Sequence, residues 1–479
     1  MSKPEQYDVL ILGSGEAGKY LAWTLASEGK RVAVVERQYV GGSCPNIACL
    51  PSKNVIHSAK VASYLRRAAE FGLPVSNGPI DMAAVRDRKR KMVSGLIDVH
   101  LQKYQATGAE LVMGSGTFIA PKTLEVALHD GGTRTMHGEV VILSTGSRAQ
   151  VDSTPGLKDA RPLTHIEALE LDRVPEHLVV LGGGYIGLEL AQAMRRLGSR
   201  VTIVERNSTL IHREDPDIVA AVGELFQDEG IEVFTETALI RVEGVSGQSV
   251  RLHGLRGNAE AVIEGTHLLA AVGRTPNTDG IGLERAGINL HLSGHVKVNE
   301  RLQTTAEGVW AVGDCAGSPY FTHIAFDDFR VVRDNLAGLK RVTTGRQVPF
   351  CLFTDPEFAR VGLSEGEAKE RGIAYRVAKI PLASVLRTRT LSETRGFMKA
   401  LIEADGDSIL GFAAFGAGAG EVMAVVQVAM IASLPYTALR NAILTHPTMA
   451  EGLVVLFSAV PSGATGVHLG HKDQACGWK

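Results

Sequence analysis

Cysteine is scarce in this chain, with five in 479 residues. That scarcity argues against a secreted, disulfide-stapled protein and for a reducing compartment. Charge of either sign is not in excess. A formal net charge of -2 gives no general attraction to nucleic acid or to an anionic membrane surface. No uninterrupted apolar run approaches the roughly 20 residues needed to span a bilayer. Met423 to Leu434 is apolar but too short, and reads as a buried helix. Met1 to Tyr7 is polar and runs directly into an apolar strand, with neither the basic start nor the cleavage pattern of a signal peptide. The expectation is a cytoplasmic protein with no membrane and no nucleic-acid partner.

What remains is ordinary in bulk and specific in its motifs. A content of 45% hydrophobic and 21% charged residues is that of a globular protein, and the length predicts about three domains. The basic run Arg86 to Lys91 lies in a helix-like segment and reads as a solvated helix face.

Tyr7 to Leu12 is a short apolar strand that ends in Gly13-Ser14-Gly15-Glu16-Ala17-Gly18. A helix-forming stretch follows, then a strand, Arg31 to Val35, closing on Glu36. Strand, glycine turn, helix, strand and acid together form a dinucleotide-binding fingerprint in its proper context. The unit recurs: His177 to Leu181 leads into Gly182-Gly183-Gly184-Tyr185-Ile186-Gly187, and the strand Arg200 to Val204 ends at Glu205. Both copies keep glycines and acid, so two dinucleotides are expected.

Between the fingerprints stands Gly41-Gly42-Ser43-Cys44-Pro45-Asn46-Ile47-Ala48-Cys49-Leu50-Pro51-Ser52-Lys53, followed by a helix-like segment, Asn54 to Ala69. One helical turn would bring the two thiols near the roughly 4.4–6.8 Å Cα separation that a disulfide needs. Pro45 suits a first helical position, which would put Cys44 at a helix N-terminus, where a thiolate is favoured. On spacing alone, redox chemistry, half of a zinc site and a structural disulfide are all open. No second Cys or His pair follows at ligand spacing, which leaves zinc without its other half and no metal expected.

Further along, Glu139 to Leu143 with Ser144-Thr145-Gly146-Ser147 reads as a strand and crossing of the first domain. Ala270 to Asn277 contains Gly273-Arg274-Thr275-Pro276-Asn277, and Val309 to Asp314 is a strand ending in Gly-Asp. From Gln347 short strands precede one helix, Gly420 to Ser433, which suggests an α+β module. Near its end lies His446-Pro447-Thr448-Met449-Ala450-Glu451, where Thr448-x-x-Glu451 also reads as a capping box for the last helix.

Two dinucleotide units with a Cys-x4-Cys, a Pro-Ser-Lys, a Gly-Arg-x-Pro-Asn, a Gly-Asp and a His-Pro-Thr-x-x-Glu resemble the FAD-dependent pyridine nucleotide–disulfide oxidoreductases. That family includes glutathione reductase, dihydrolipoamide dehydrogenase and mercuric reductase. The resemblance spans roughly Tyr7 to Phe457. It implies an α/β fold of two Rossmann-like dinucleotide-binding domains plus a C-terminal α+β dimerisation domain. The expected boundaries are an FAD-binding domain at 1–150, completed by 274–345, a nicotinamide-nucleotide domain at 151–273, a dimerisation domain at 346–460 and a loose tail at 461–479.

Carried over by residue, the resemblance implies that Gly13, Gly15, Gly18, Glu36, Gly42, Lys53, Gly116, Thr145, Gly146 and Asp314 bind FAD. Gly182, Gly184, Gly187, Glu205 and Gly273 would hold NAD(P). Glu189 would pair with Lys53 near the flavin, Cys49 would be the thiol beside it, and Cys44 the thiol that exchanges with substrate. His446, oriented by Glu451, would be the acid/base for Cys44, reaching it from the partner subunit, so a homodimer with shared sites is implied. Glu205 favours NAD(H) because a carboxylate repels a 2′-phosphate, while the adjacent Arg206 keeps NADP(H) possible.

Departures narrow the reaction. Ala48 stands where the family usually has glycine, and Ser43 and Pro45 are also unusual. Phe321 to Arg330 and Phe353 to Pro356 look most like the mercuric-reductase branch. Against mercury as substrate stand the absence of an N-terminal metal-binding module, a single tail cysteine, Cys476, in place of a vicinal pair, and the retained His446/Glu451. Cys476 is expected to be inert, and Cys315 and Cys351 to be buried packing residues. The expected activity is NAD(P)H-driven reduction of a small disulfide, or the reverse dithiol oxidation. The alternatives are a dihydrolipoamide dehydrogenase of a multienzyme complex, a mercuric-reductase-like metal or oxidant reductase, and a flavin-bound redox sensor without turnover.

Overall fold

A computed structural model of the chain describes residues 3–76, 78–257 and 259–463. The chain forms two compact units, one from residues up to 206 with 231–346, the other from 207–230 with the chain from 347 onward.

In the first unit the strands Glu110–Ala120, Val32–Glu36, Glu5–Leu12, Thr133–Leu143 and Val309–Ala311 lie side by side, each parallel to its neighbour. The strand Thr123–Leu128 runs antiparallel between the ends of the first and fourth. Side chains of a strand alternate between faces, and both faces here are apolar. Leu10, Leu12, Ala33 and Val35 pack into one core, whereas Val9, Ile11, Val32 and Val34 pack into another with Leu21, Trp23, Phe329 and Val332 from helices Glu16–Ser27 and Thr322–Leu336. A near-continuous apolar strand covered on both sides is the signature of a parallel α/β sheet.

The second fingerprint builds its own parallel sheet, in the order His267–Ala270, His177–Leu181, Arg200–Val204, Glu232–Phe234. A three-stranded antiparallel sheet, Thr237–Val245, Ser249–Arg256 and Ala259–Gly265, supplies Val242, Val250, Leu252 and Ile263 to the core shared with Val179, Leu181 and Val204. The chain crosses between the two nucleotide-fold parts at a two-stranded ribbon, Ser147–Ala149 against Arg274–Pro276. The basic run is solvated at Asp87, Arg88, Arg90 and Lys91, as expected, and departs from a solvated face at Lys89. Lys89 is fully buried and pairs with Glu170, Arg90 shares that carboxylate, Arg86 pairs with Asp172, and Arg88 bonds Asn54 and Ser58. The run ties its helix, Met82–Thr107, to its neighbours.

The second unit is a five-stranded antiparallel sheet in the order Phe350–Leu352, Glu357–Gly362, Ile409–Gly416, Phe397–Glu403, Tyr375–Pro381. One face carries Met398, Ala400, Phe412 and Ala414 against helices Ala419–Ile431 and Gly452–Ser458. Alternation sends Lys399 to the other face. There its ammonium, 1% exposed, meets Asp215 at 2.8 Å, Asp217 at 2.8 Å and Glu365 at 3.0 Å. The three carboxylates lie close enough together to hold a metal ion, and the Lys399 ammonium already sits in contact with all three. Asp215 also accepts from the N–H groups of Glu365 and Gly366, and Lys379 reaches Asp217. Helix Ala419–Ile431 is not buried all round as its composition suggested: Val426 and Ala429 are inside, but Val428 and Ile431 are 64% and 66% exposed. No helix among the described residues is long and apolar enough to cross a membrane.

Candidate active site

The two glycine turns have the same construction. Gly13 and Gly182 adopt φ of 99° and 103°, a left-handed backbone that favours glycine. A Cβ on Gly18 would lie 2.4 Å from Gly13 O, and one on Gly187 would lie 2.2 Å from Gly182 O, so each third glycine lets its helix close on the turn. In each copy the strand-end acid grips the turn it follows. Glu36 Oε2 accepts from Ser14 N at 2.8 Å, and Glu205 Oε2 accepts from Gly183 N at 2.6 Å. Glu36 also takes Ser14 Oγ and the N–H groups of Gln38 and Tyr39, so a ribose hydroxyl at this acid would exchange with one of these four bonds.

These turns fit a dinucleotide. Helices Glu16–Ser27 and Tyr185–Leu197 both start from a glycine whose missing side chain leaves the first N–H groups uncapped, and a Cβ on Gly184 would meet nothing within 4 Å. Exposed N–H groups over a side-chain-free turn are what a pyrophosphate requires.

The glycine pair before the cysteines has a steric reason. A Cβ on Gly42 would lie 2.6 Å from Gly15 Cα, and one on Gly41 would lie 2.3 Å from His100 Nδ1. The cysteine segment is thereby laid directly on the first turn, fastened by Gly41 N donating to Ser14 Oγ at 2.9 Å.

Here the structure corrects the sequence reading. Cys44 lies in a separate one-turn helix, Ser43–Asn46, and Pro45 is its third residue rather than its first. The chain leaves helical geometry at Ile47 and Ala48, with φ of -136° and -128°, and Cys49 opens the 18-residue helix Cys49–Arg66. The helix dipole therefore acts on Cys49.

Both cysteines are free thiols, near enough that each shifts the proton affinity of the other. Thr322 Oγ1, at the start of helix Thr322–Leu336, is 3.3 Å from Cys49 Sγ. The neighbouring Cys44 thiol, with help from Thr322 and the Lys53 charge, outweighs burial and holds the Cys49 thiol well below the ordinary range. Cys49, with burial, pushes Cys44 up. One turn into the helix, Lys53 Nζ donates to Glu189 Oε2 at 2.8 Å; the carboxylate is 8% exposed and the ammonium 32%.

Asp314 sits in the turn Gly313–Ala316 that follows the strand Val309–Ala311. Ser147 Oγ donates to its carboxylate, Arg274 Nε donates to Ser147 Oγ at 2.8 Å, and Arg274 Nη2 lies 3.7 Å from the carboxylate. Asn277 fastens the crossing: its Nδ2 donates to Thr145 O at 2.9 Å and its N–H to Gly146 O at 2.9 Å. Gly116 answers to packing as well, since a Cβ there would meet Leu12 Cδ1 at 2.8 Å. Gly273, with φ of 149°, lies beside Gln150. Thr322, Ser147 and Arg274 were not assigned roles from sequence. Arg274 lies inside a motif that was recognised, and only contacts across 127 and 273 positions reveal the other two.

In the second unit His446 Nδ1 is 2.8 Å from Glu451 Oε2, with the histidine 65% exposed. The capping-box reading holds by half. Thr448 Oγ1 accepts from Glu451 N at 3.3 Å, but the Glu451 carboxylate turns to His446 instead of back to Thr448, and helix Gly452–Ser458 begins only after it. Cys315 is fully buried, whereas Cys351 is only half-buried at the edge strand Phe350–Leu352. Cys476 lies outside the described residues.

Residues 7–328 match the family described as pyridine nucleotide-disulphide oxidoreductase, and 348–456 match its dimerisation domain. The chain is 35% identical over 466 residues to the probable pyridine nucleotide-disulfide oxidoreductase RclA of Escherichia coli, covering 95% of this chain and 99% of that protein. It is 37% identical to a mercuric reductase of Streptomyces lividans, covering 93% of this chain and 94% of that one. The dihydrolipoyl dehydrogenase of Thermus scotoductus is 34% identical, with 94% and 96% covered. Among solved structures, the HOCl-induced flavoprotein disulfide reductase RclA from Escherichia coli superposes with a TM-score of 0.87 at 34% identity, covering 95% of this chain and all of that one. Its Cu(II) complex superposes with a TM-score of 0.87. The chain therefore belongs to the pyridine nucleotide-disulfide oxidoreductase family, as an enzyme that uses FAD and a pyridine nucleotide and carries that family's dimerisation domain.

Proposed function

We propose that the chain is an NADH:disulfide oxidoreductase in which Cys44 exchanges with a small disulfide and Cys49 is the thiol next to the flavin. The Cys44-x4-Cys49 pair laid on the first glycine turn, with Thr322 beside Cys49 and the Lys53–Glu189 ion pair one turn away, carries this reading. Residues 1–150 with 274–345 would form the FAD domain, 151–273 the nicotinamide-nucleotide domain and 346–460 the dimerisation domain.

Gly13, Gly15, Gly18 and Gly42 would seat the FAD pyrophosphate, Glu36 a ribose, and Asp314 the ribityl chain, with Thr145, Gly146 and Gly116 along its path. When bound, FAD relays to the cysteines an electron pair delivered by the reduced nicotinamide. Lys53 and Glu189 would set the charge at that junction. Gly182, Gly184 and Gly187 would seat the second dinucleotide, with Gly273 near the nicotinamide. Glu205 would accept from ribose hydroxyls and repel a 2′-phosphate, which favours NADH.

The exchange balances on the chain's own atoms. His446 takes the Cys44 proton, the resulting Cys44 thiolate attacks one sulfur of the substrate, the S–S bond breaks, and Cys44 is left in a mixed disulfide. The departing thiolate takes a proton from His446, which Glu451 orients. The Cys49 thiolate then attacks Cys44 sulfur, expels the second group as a thiolate that solvent protonates, and closes the Cys44–Cys49 disulfide. One electron pair and one proton reopen it. His446 would come from the partner subunit, and the exposed Val428 and Ile431 suit burial between copies. The scarcity of cysteine, five in 479 residues, suits a cytoplasmic location.

A second reading is reduction of a soft metal ion, favoured by the mercuric reductase matched over 94% of its length and by the Cu(II) complex of RclA. Paired thiolates suit such ions.

Anaerobic titration with NADH, then NADPH, tests the assignment. A long-wavelength band growing in at about two reducing equivalents per site is expected, from a Cys49 thiolate against oxidised flavin. Bleaching of the flavin without that band would overturn the role of the cysteines. Steady-state turnover with disulfides against Hg(II) or Cu(II) separates the two readings.

A further inference from the structure

Asp328 lies one and a half turns after Thr322 in the helix Thr322–Leu336 and is fully buried. Its Oδ2 accepts from Gly313 N at 2.7 Å and from Ser318 Oγ at 2.7 Å, and its Oδ1 accepts from Arg346 Nη1 at 2.6 Å. Arg346 Nη2 closes the ring by donating to Ser318 Oγ at 3.3 Å. Gly313 is the residue at which the chain leaves the sheet: Val312 N still bonds Leu143 O, and Gly313 then turns with φ of 67°. The following residue is Asp314.

We infer that Asp328 is a positioning residue for FAD binding: by holding the Gly313 N–H and Ser318 from inside the protein, it fixes the turn that presents Asp314. This rests on the flavin reading of Asp314 given above. The side chain of Asp314 is set from one direction by Ser147 and Arg274, and its backbone from another by Asp328. Burial raises the Asp328 carboxyl above its usual range even with Arg346, Ser318 and Gly313 drawing it down. A carboxylate kept inside at such a cost is better explained by what it holds than by stability. Its neighbour Asp327 pairs with Arg341 at 2.7 Å and Arg330 at 3.9 Å and shares Arg346 at 3.5 Å, but the bonds to Gly313 N and Ser318 Oγ are made by Asp328.

The test measures FAD affinity of apoprotein and the apoprotein melting temperature in parallel, on the full chain. Asp328→Asn keeps the shape but offers one accepting oxygen, and FAD should bind at least about tenfold more weakly, the equivalent of one charge-assisted hydrogen bond. Ser318→Ala removes a single donor and should lose several-fold; Asp327→Asn should bind FAD as the wild type does. A purely structural role predicts loss of melting temperature with unchanged affinity in whatever protein remains folded. Wild-type affinity in folded Asp328→Asn, or an equal loss in Asp327→Asn, overturns the inference. Should Asp328→Asn not fold, Ser318→Ala decides by the same criterion. Wild-type protein that neither carries nor binds FAD would instead overturn the flavin reading.

Discussion

Thr322 Oγ1 lies 3.3 Å from Cys49 Sγ, so the first residue of one helix faces the first residue of another across the redox thiol. A hydroxyl here donates to a thiolate more strongly than to a thiol, which lowers the proton affinity of Cys49. The long-wavelength band should therefore be present above the Cys49 pKa and vanish as pH falls through it, at a midpoint below the ordinary thiol value of roughly 8.5. Thr322→Val should raise that midpoint by about one unit, the worth of one hydrogen bond to a charged group. Absorbance against pH on the reduced enzyme checks both.

His446 and Glu451 should separate the two half-reactions. His446→Ala is expected to cut disulfide turnover about a hundredfold or more by removing general acid–base help, while anaerobic reduction by NADH stays within about twofold. Glu451→Gln, which keeps a weaker partner 2.8 Å from the ring, should cost less. Equal loss in both half-reactions would contradict the assignment.

Glu205 should decide the nucleotide. Glu205→Ala is expected to weaken NADH binding about tenfold and to narrow its advantage over NADPH; Arg206→Ala should leave NADH binding unchanged. Stopped-flow reduction with each nucleotide reads the ratio.

Lys399 should decide the stability of the second unit. Lys399→Met strands three carboxylates around an apolar side chain and should cost about 3–5 kcal/mol, read as a fall in melting temperature that Asp215→Asn partly restores. Burial lowers the Lys399 ammonium pKa, but its three carboxylate partners overcome this and hold it above the usual range, so its contribution persists through neutral pH. Burial alone would raise Asp215 and Asp217; their lysine partners and, for Asp215, two backbone N–H donors leave both below the usual range. Their contribution is present above the unfolded value and is lost as pH falls through the folded one. Acid, not mild alkali, should loosen this unit.

The parts legible in the sequence were those written in consecutive residues. The strands His177–Leu181 and Arg200–Val204 were anticipated to the residue, because an apolar run bounded by glycine or an acid has little else to become. The helix start at Cys49 was missed because proline at position 45 satisfies a rule about first turns, while the break at Ile47–Ala48 is a backbone geometry that no residue type announces. Edge strand Phe350–Leu352 is three residues long and carries no pattern. The role of Asp328 was hidden for another reason: an acid in a helix reads as surface until its partners 15 and 18 positions away are known.

The ammonium among Asp215, Asp217 and Glu365 has a wider meaning. Where many proteins gather three acids and then depend on the supply of calcium or magnesium to quiet them, this unit grows its counter-ion on its own backbone. Chelators should leave its folding untouched, and scarcity of divalent ions in the surroundings should not be felt there.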